Sequence, residues 1–375
     1  MLRKALMMAL PVFLALFTVA QTPMQDENYR SRDILDIVHR IFGKSNKSQD
    51  SSFQKRRIHI GVLPAVGYTL QTGFAAVVSA NMIIYNKHKR DTILPSTYLA
   101  SLSITQYKQV ILPFQSVIYF NRNRAMLISD WRYLKYPSST WGLGMHTSPS
   151  DENPLDFQYF KLHESILFQI VPGIYAGGGF AVDYFWNIKE LNPHPFPPTD
   201  LEKYGFDTRT ISSGVSFHVL RDTRDNPINP YSGTYASINV TPRFKFMGSD
   251  AAWTAMIAQW RGYYRVPASS TNVLALWSFN WLTLSGKPPY LMLPSTAWDK
   301  SYNTGRGYIQ GRFRSNNMLD GEAEYRIQLT RNGLLGMVLF GNLQSFSEID
   351  TWRFEGIAPA GGVGLRLKLN KYSRT

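Results

Sequence analysis

The sequence predicts an all-β fold, a transmembrane antiparallel β-barrel, on three observations. From Ala236 to Phe246 every second residue is apolar (Ala236, Ile238, Val240, Pro242, Phe244, Phe246), with Ser237, Asn239, Thr241, Arg243 and Lys245 between them. That is period two over a segment long enough to cross a bilayer core, with one apolar face and one wet, basic face. Second, the chain is 44% hydrophobic and 14% aromatic, yet its mean hydropathy is −0.21. A helical bundle needs apolar runs of about 18 residues, and only the N-terminus approaches one. A barrel dilutes each apolar residue with a polar one, so low hydropathy is compatible with it. Third, such segments follow one another along most of the chain, as a membrane barrel requires.

The elements follow in chain order. Residues 1–20 read as a secretory signal peptide, with Arg3 and Lys4 before apolar Ala5 to Ala20 and small residues Thr18-Val19-Ala20 at the cleavage position. A short membrane anchor is the alternative. The chain has no Cys, which excludes a lipoprotein anchor and disulfide staples. Residues 21–57 read as a periplasmic or plug segment, and 31–42 (SRDILDIVHRIF) carry an amphipathic pattern suited to a short helix. This stretch leaves no room for a separate soluble N-terminal domain. The barrel is expected over 58–375. Strand-like spans fall at 58–66, 73–85, 97–106, 109–120, 124–134, 157–170, 173–187, 209–221, 233–246, 251–266, 272–285, 320–330, 334–345 and 361–371, about fourteen in all.

Parity assigns the faces. In 173–187, Ile174, Ala176, Phe180, Val182, Tyr184 and Trp186 oppose Tyr175, Asp183 and Asn187. In 251–266, Thr254, Met256, Ala258, Trp260, Tyr264 and Val266 oppose Gln259, Arg261, Tyr263 and Arg265. In 320–330, Ala323, Tyr325, Ile327 and Leu329 oppose Glu322, Glu324, Arg326 and Gln328, and in 361–371, Val363, Leu365, Leu367 and Leu369 oppose Gly364, Arg366, Lys368 and Asn370. A cation on the lipid side near the midplane costs about 2–4 kcal/mol. Inside these four segments every Arg and Lys falls on the other parity, except Lys371 at a strand end, where it reaches the interface. Aromatic groups near strand ends (Trp131, Tyr133, Tyr136; Tyr184, Phe185, Trp186; Tyr263, Tyr264) are candidates for interface girdles. Tight connections such as Thr330 to Leu334, with Asn332-Gly333, suit the periplasmic side, and the long segments 135–156, 187–208 and 286–319 the extracellular side.

The formal charge is +14, from 40 basic and 26 acidic residues. The cations recur in strands and loops without forming one patch, which argues against nucleic acid. The chain offers no sign of an enzyme: the seven His residues show no metal spacing, there is no G-x-S-x-G elbow, and Ser213 and His218 lie on opposite parities of one strand. Gly177 to Gly179 precede no helix and make no phosphate loop. No catalytic residue, metal or cofactor is expected.

Two stretches carry a resemblance: DTRDNPINPYSG at Asp222 to Gly233, and GRGYIQGRFRSNNMLDGEAEYRI at Gly305 to Ile327. In that order and spacing they resemble the BamA/TamA outer-membrane assembly superfamily, also called the bacterial surface antigen family, over roughly residues 56–375. The resemblance implies a sixteen-strand barrel whose long loop, between the eleventh and twelfth strands, folds back into the lumen. Its tip would be Gly305-Arg306-Gly307-Tyr308, with Arg306 meeting Glu324, which parity independently places on the wet face. Where the family has a second acidic partner, one strand later, this chain has Asn342, so one leg of the lock is expected to be a neutral hydrogen bond. The turn-motif residues to carry over are Asp222, Arg224, Asp225, Pro227, Pro230 and Gly233, of which Asp222, Arg224 and Asp225 read from the sequence alone as a charged lumen or turn cluster.

The chain departs from the family pattern twice. It shows no POTRA modules, and three strands rather than five follow Gly305, so the final hairpin is expected to be missing; a fourteen-strand barrel is the alternative, since an even number also closes. The resemblance implies an outer-membrane protein acting in assembly, insertion or translocation of envelope components. Expected partners are outer-membrane lipid and glycolipid, with unfolded outer-membrane proteins or other envelope subunits as protein partners. A passive pore or a structural barrel subunit is the alternative from another class, and a lipolytic enzyme a third.

Overall fold

Backbone groups cannot be satisfied by lipid, so a chain with these alternating segments must pair them edge to edge. The computed structural model describes residues 58–84, 94–191, 198–205, 207–227 and 229–368. The expected signal peptide, segment 21–57 and Leu369 to Lys371 lie outside the described residues. Fifteen strands form one antiparallel sheet: β1 (Ile58–Thr69), β2 (Gly73–Ile84), β3 (Ser96–Thr105), β4 (Val110–Phe120), β5 (Ala125–Lys135), β6 (Ser138–Thr140), β7 (Asn153–Val171), β8 (Ile174–Glu190), β9 (Arg209–Asp222), β10 (Gly233–Arg243), β11 (Trp253–Arg265), β12 (Val273–Gly286), β13 (Asn317–Gln328), β14 (Leu335–Phe346) and β15 (Ala358–Leu367). All fourteen expected strands are present, and they pair in chain order as a meander, with short β6 attached to β7 alone. Among the described residues β1 pairs only with β2 and β15 only with β14.

The connections divide by end. The long segments between β5 and β7, β8 and β9, and β12 and β13 all leave one end, and the tight β13–β14 turn leaves the other. A five-residue helix, α1 (Asp200–Tyr204), sits in the β8–β9 connection, where no helix was expected. Thr199 and Glu202 form a reciprocal capping box at its start. The strand expected to run to Phe246 ends at Arg243, and a 3-10 turn at Lys245–Met247 leaves Phe246 at the surface.

The faces follow parity. On β15, Val363 and Leu365 point outward and Arg366 inward, where it meets Asn229. On β10, Arg243 points inward and is 4% exposed. Parity also splits the aromatic groups that the sequence suggested as girdles. Tyr133, Tyr184 and Trp186 point outward and contact one another, and Trp131 and Tyr264 are also exposed. Phe185, Tyr136 and Tyr263 are buried. Tyr325 has outward parity but is buried too, and its hydroxyl donates to the Val266 carbonyl at 2.8 Å.

The interior is packed in layers. At the long-loop end, Leu134, Phe157, Tyr159, Phe185 and Trp253 meet Leu201 of α1 and Tyr290 to Leu293 of the β12–β13 loop. At the opposite end Met126, Leu167, Tyr175 and Leu220 form a smaller cluster. Between them lies a polar layer. Asp183 accepts from Tyr159 Oη at 2.6 Å and Arg243 at 2.6 Å, and meets His163 Nε2 at 2.9 Å. Asp130 pairs with Arg132 and Lys161, both at 2.8 Å. Buried charges need partners of this kind.

Candidate functional site

The site is built on the inward faces of β13, β14 and β15, and the tip of the 287–316 loop rests on it. Strand pleating sends Asp320, Glu322, Glu324 and Arg326 to the lumen, and the register sets Glu322 opposite Asn342 and Glu324 opposite Phe340. Arg306 drops onto this patch of four side chains. Its Nη1 donates to Glu322 Oε1 at 2.8 Å and to Glu324 Oε2 at 2.6 Å, while its guanidinium carbon lies 3.7 Å from the centre of the Phe340 ring. Burial works against the charge, but hydrogen bonding and charge from Glu324 and Glu322 outweigh it and raise the Arg306 pKa above its ordinary value.

The tip continues on both sides. The Gly305 amide donates to Asp320 Oδ2 at 2.9 Å and the Tyr308 hydroxyl to the Pro359 carbonyl at 2.9 Å. Gly305 and Gly307 have φ of 65° and 102°, a region that disfavours side chains. A Cβ at Gly307 would lie 2.8 Å from the Ala360 Cβ, so there the close wall adds to the cost of the backbone angle, whereas at Gly305 it would meet only the movable end of Gln344.

Asn342 makes a neutral hydrogen bond to the tip, as expected, but to its backbone. Its Nδ2 donates to the backbone carbonyl of Arg306 at 2.8 Å, not to the guanidinium side. The second carboxylate on Arg306 is Glu322, which sequence reasoning placed on the wet face but did not assign to the tip. Glu322 stands directly across the ladder from Asn342, so the acid expected on β14 is supplied from the paired position on β13.

Deeper anchors hold the rest of the loop. Thr296 Oγ1 donates to Gln344 at 3.0 Å, Tyr136 hydrogen-bonds Gln310, and Arg312 donates to Thr147. Arg314 is fully enclosed, donates to the Tyr290 carbonyl at 3.0 Å and stacks on the Tyr290 ring, and burial lowers its pKa.

The turn motif is a self-contained clamp. Arg224 forks onto Asp222 at 2.9 and 2.7 Å, reaches the Pro227 carbonyl at 3.1 Å and stacks over Tyr235. Asp225 Oδ1 accepts from the Tyr231 and Ser232 amides, Pro230 is buried, and Gly233 turns the chain at φ 97°. The two motif stretches meet through one residue that the sequence did not single out. Asn229 Oδ1 accepts from Arg326 at 3.2 Å and Arg366 at 3.0 Å, and Arg326 in turn donates to Glu324 at 2.7 Å. A polar chain thus runs Arg306, Glu324, Arg326, Asn229 from loop tip to turn. Beside it lies a cavity of about 140 Å³ bounded by Arg261, Trp277 and Asn303.

The Omp85 superfamily domain matches residues 150–370, more than half of the 375-residue chain and a span that includes both motifs. The chain belongs to the Omp85 superfamily. Omp85 barrels such as BamA are integral outer-membrane proteins. BamA from Haemophilus ducreyi lacking POTRA domains 1-3 shares the fold at TM-score 0.53 and 14% identity, over 84% of this chain and 64% of that one. CdiB from Acinetobacter baumannii does so at TM-score 0.51 and 10% identity, over 83% of this chain and 54% of that one. The match therefore spans less than two thirds of either Omp85 barrel protein. No curated protein matches the sequence.

Proposed function

We propose that this Omp85 barrel inserts or translocates envelope components, with unfolded outer-membrane proteins as its clients. The observation that carries the reading is the loop tip. Arg306, partly buried in the lumen and bonded to Glu322 and Glu324, fixes a loop inside an Omp85 barrel. The packed interior supports insertion over a passive pore, because the loop and its apolar cluster occupy the space a conducting channel needs. In this proposal, client strands engage the edges of β1 and β15, which among the described residues pair only with β2 and β14 and can template a new strand. The seam then opens sideways or thins the bilayer next to it.

Two measurements test this. Purified full-length chain in lipid vesicles should accelerate folding of a urea-unfolded outer-membrane barrel, and depletion from cells should lower the amounts of other barrels. Single-channel conductance in planar bilayers with no effect on client folding would favour the pore instead.

A further inference from the structure

The outward face of β4, β5, β7, β8 and β9 contains one charged residue where none is expected. Cross-strand rows can be read directly from the register. One row is Lys135, Gln158, Trp186 and Arg209. Three rows further on lie Ser116, Ser129, Glu164, Phe180 and Val215. Another three rows on, β9 again presents an exposed arginine, Arg221.

Arg209 and Arg221 share one face of β9. At 3.4 Å per residue and a tilt near 40°, they stand about 30 Å apart along the membrane normal, the thickness of the hydrocarbon layer. Val215 is midway between them. Its row is perpendicular to the strands and shares their tilt, so Glu164, two strands of about 4.8 Å further along it, stands about 6 Å from the midplane, well inside the hydrocarbon layer.

Glu164 is held, not loose. Ser129 Oγ donates to its Oε1 at 2.8 Å, Trp131 Nε1 donates to its Oε2 at 2.8 Å, and Ser116 Oγ donates to Ser129 at 3.0 Å. Around this polar island the outward residues are Leu162, Val182, Ile166, Phe180 and Phe217, the last three well exposed. Gly178 lies between Ile166 and Phe217 in the next row and leaves a furrow between them. Among the described residues no Lys, Arg or His shares this face within two rows of Glu164. Both carboxyl oxygens retain acceptor capacity beyond the bonds they make.

An ionisable side chain at this depth normally faces a bundle interior or finds a partner within the membrane. We propose that the wall around Glu164 is an intramembrane docking site for a membrane-spanning segment of another protein that carries one basic side chain in its middle third. The cation is the complement the carboxyl lacks among the described residues, and the furrow beside Gly178 admits the segment's backbone. Counting along the sheet, β7 and β8 are the sixth and seventh strands of the fourteen-strand path, far from both of its ends. A partner docked here leaves β1 and β15 open. The inference rests on the outer face meeting lipid and is independent of the insertion role.

The test uses full-length chain in phosphatidylethanolamine and phosphatidylglycerol vesicles. Because the chain has no Cys, Val215→Cys supplies a single fluorophore site beside the island. The probes are quencher-labelled polyleucine peptides about 20 residues long, enough to span the core. Their central residue is Lys, Leu or Glu. The lysine peptide should quench at a peptide-to-protein ratio at least tenfold lower than the leucine or glutamate peptide. Glu164→Leu should erase that preference while the folded band in heat-modifiability gels persists. Glu164→Gln, which keeps a hydrogen-bonding head without charge, should retain only part of it. Equal quenching by all three peptides, or a lysine preference unchanged in Glu164→Leu, overturns the proposal. So does self-association of two differently labelled copies that Glu164→Leu abolishes, which assigns the island to contact between copies. None of these readouts depends on client folding.

Discussion

Two arginines point into the same lumen and serve different ends. The Arg243 side chain is 3% exposed, bonds Asp183 at 2.6 Å and also donates to the Ala181 and Ser212 carbonyls. It ties β10 to β8 and β9, and Asp183 extends the tie to Tyr159 and His163 on β7. Arg306 is 29% exposed, comes from a loop, and rests on Glu322 and Glu324 of one strand. The first rivets neighbouring strands together; the second pins a segment that has its own covalent route out of the barrel. Burial separates them energetically. Removing one member of an enclosed ion pair strands its partner at low dielectric, whereas water reaches the half-exposed pair and screens its loss.

The comparison can be broken or sharpened by substitution. Arg243→Ala should have the largest effect, a loss of about 3–5 kcal/mol as Asp183 is left enclosed without its cation. Urea unfolding of the barrel in vesicles measures it, and a loss below about 1 kcal/mol would place Arg243 among ordinary surface pairs. Arg306→Ala should cost less, about 1–2 kcal/mol after discounting for its exposure. It should also make the 297–308 stretch protease-sensitive while the barrel still migrates as folded, a separation that Arg243→Ala should not show. Asn342→Asp tests where the second acid belongs. The new carboxylate faces the Arg306 carbonyl, so the tip should loosen by about 1 kcal/mol, the scale of one hydrogen bond. A tighter tip would mean that the guanidinium turns to β14. Arg306→Lys should be the mildest. A single nitrogen already serves both glutamates, so an ammonium can bridge them, and the loss is mainly the stacking on Phe340, about 0.5–1 kcal/mol. Loop proteolysis rates rank these last two against Arg306→Ala.

The strands were legible because lipid on one side and water on the other force period two, and a slip of one residue would turn Arg243 and Glu324 outward. Positions governed by neighbours far away in sequence were not legible in the same way. The break after Arg243 depends on a 3-10 turn, and Tyr325 is buried despite its parity. Helix α1 did carry a local signal, the Thr199-x-x-Glu202 capping box. At the loop tip, Arg306 and Glu324 could be paired from motif and parity, but Glu322 could not, because its role depends on how deep the loop sits against β13. Once the register is known, its position opposite Asn342 accounts for the neutral residue on β14. Asn229 was beyond reach for the same reason: its partners Arg326 and Arg366 lie 97 and 137 residues away. Glu164 illustrates the reverse case. Its outward position is pure parity, yet only the cross-strand rows place it within the band bounded by Arg209 and Arg221.

A double-mutant cycle between Arg306→Ala and the paired change Glu322→Ala with Glu324→Ala, read by urea unfolding in vesicles, tests the loop pinned inside the barrel most directly. A coupling of about 1–2 kcal/mol is predicted, since each change alone removes the same contact. Additivity within about 0.5 kcal/mol would mean that the three side chains do not share a bond, and that the loop is held in the lumen by something other than its arginine.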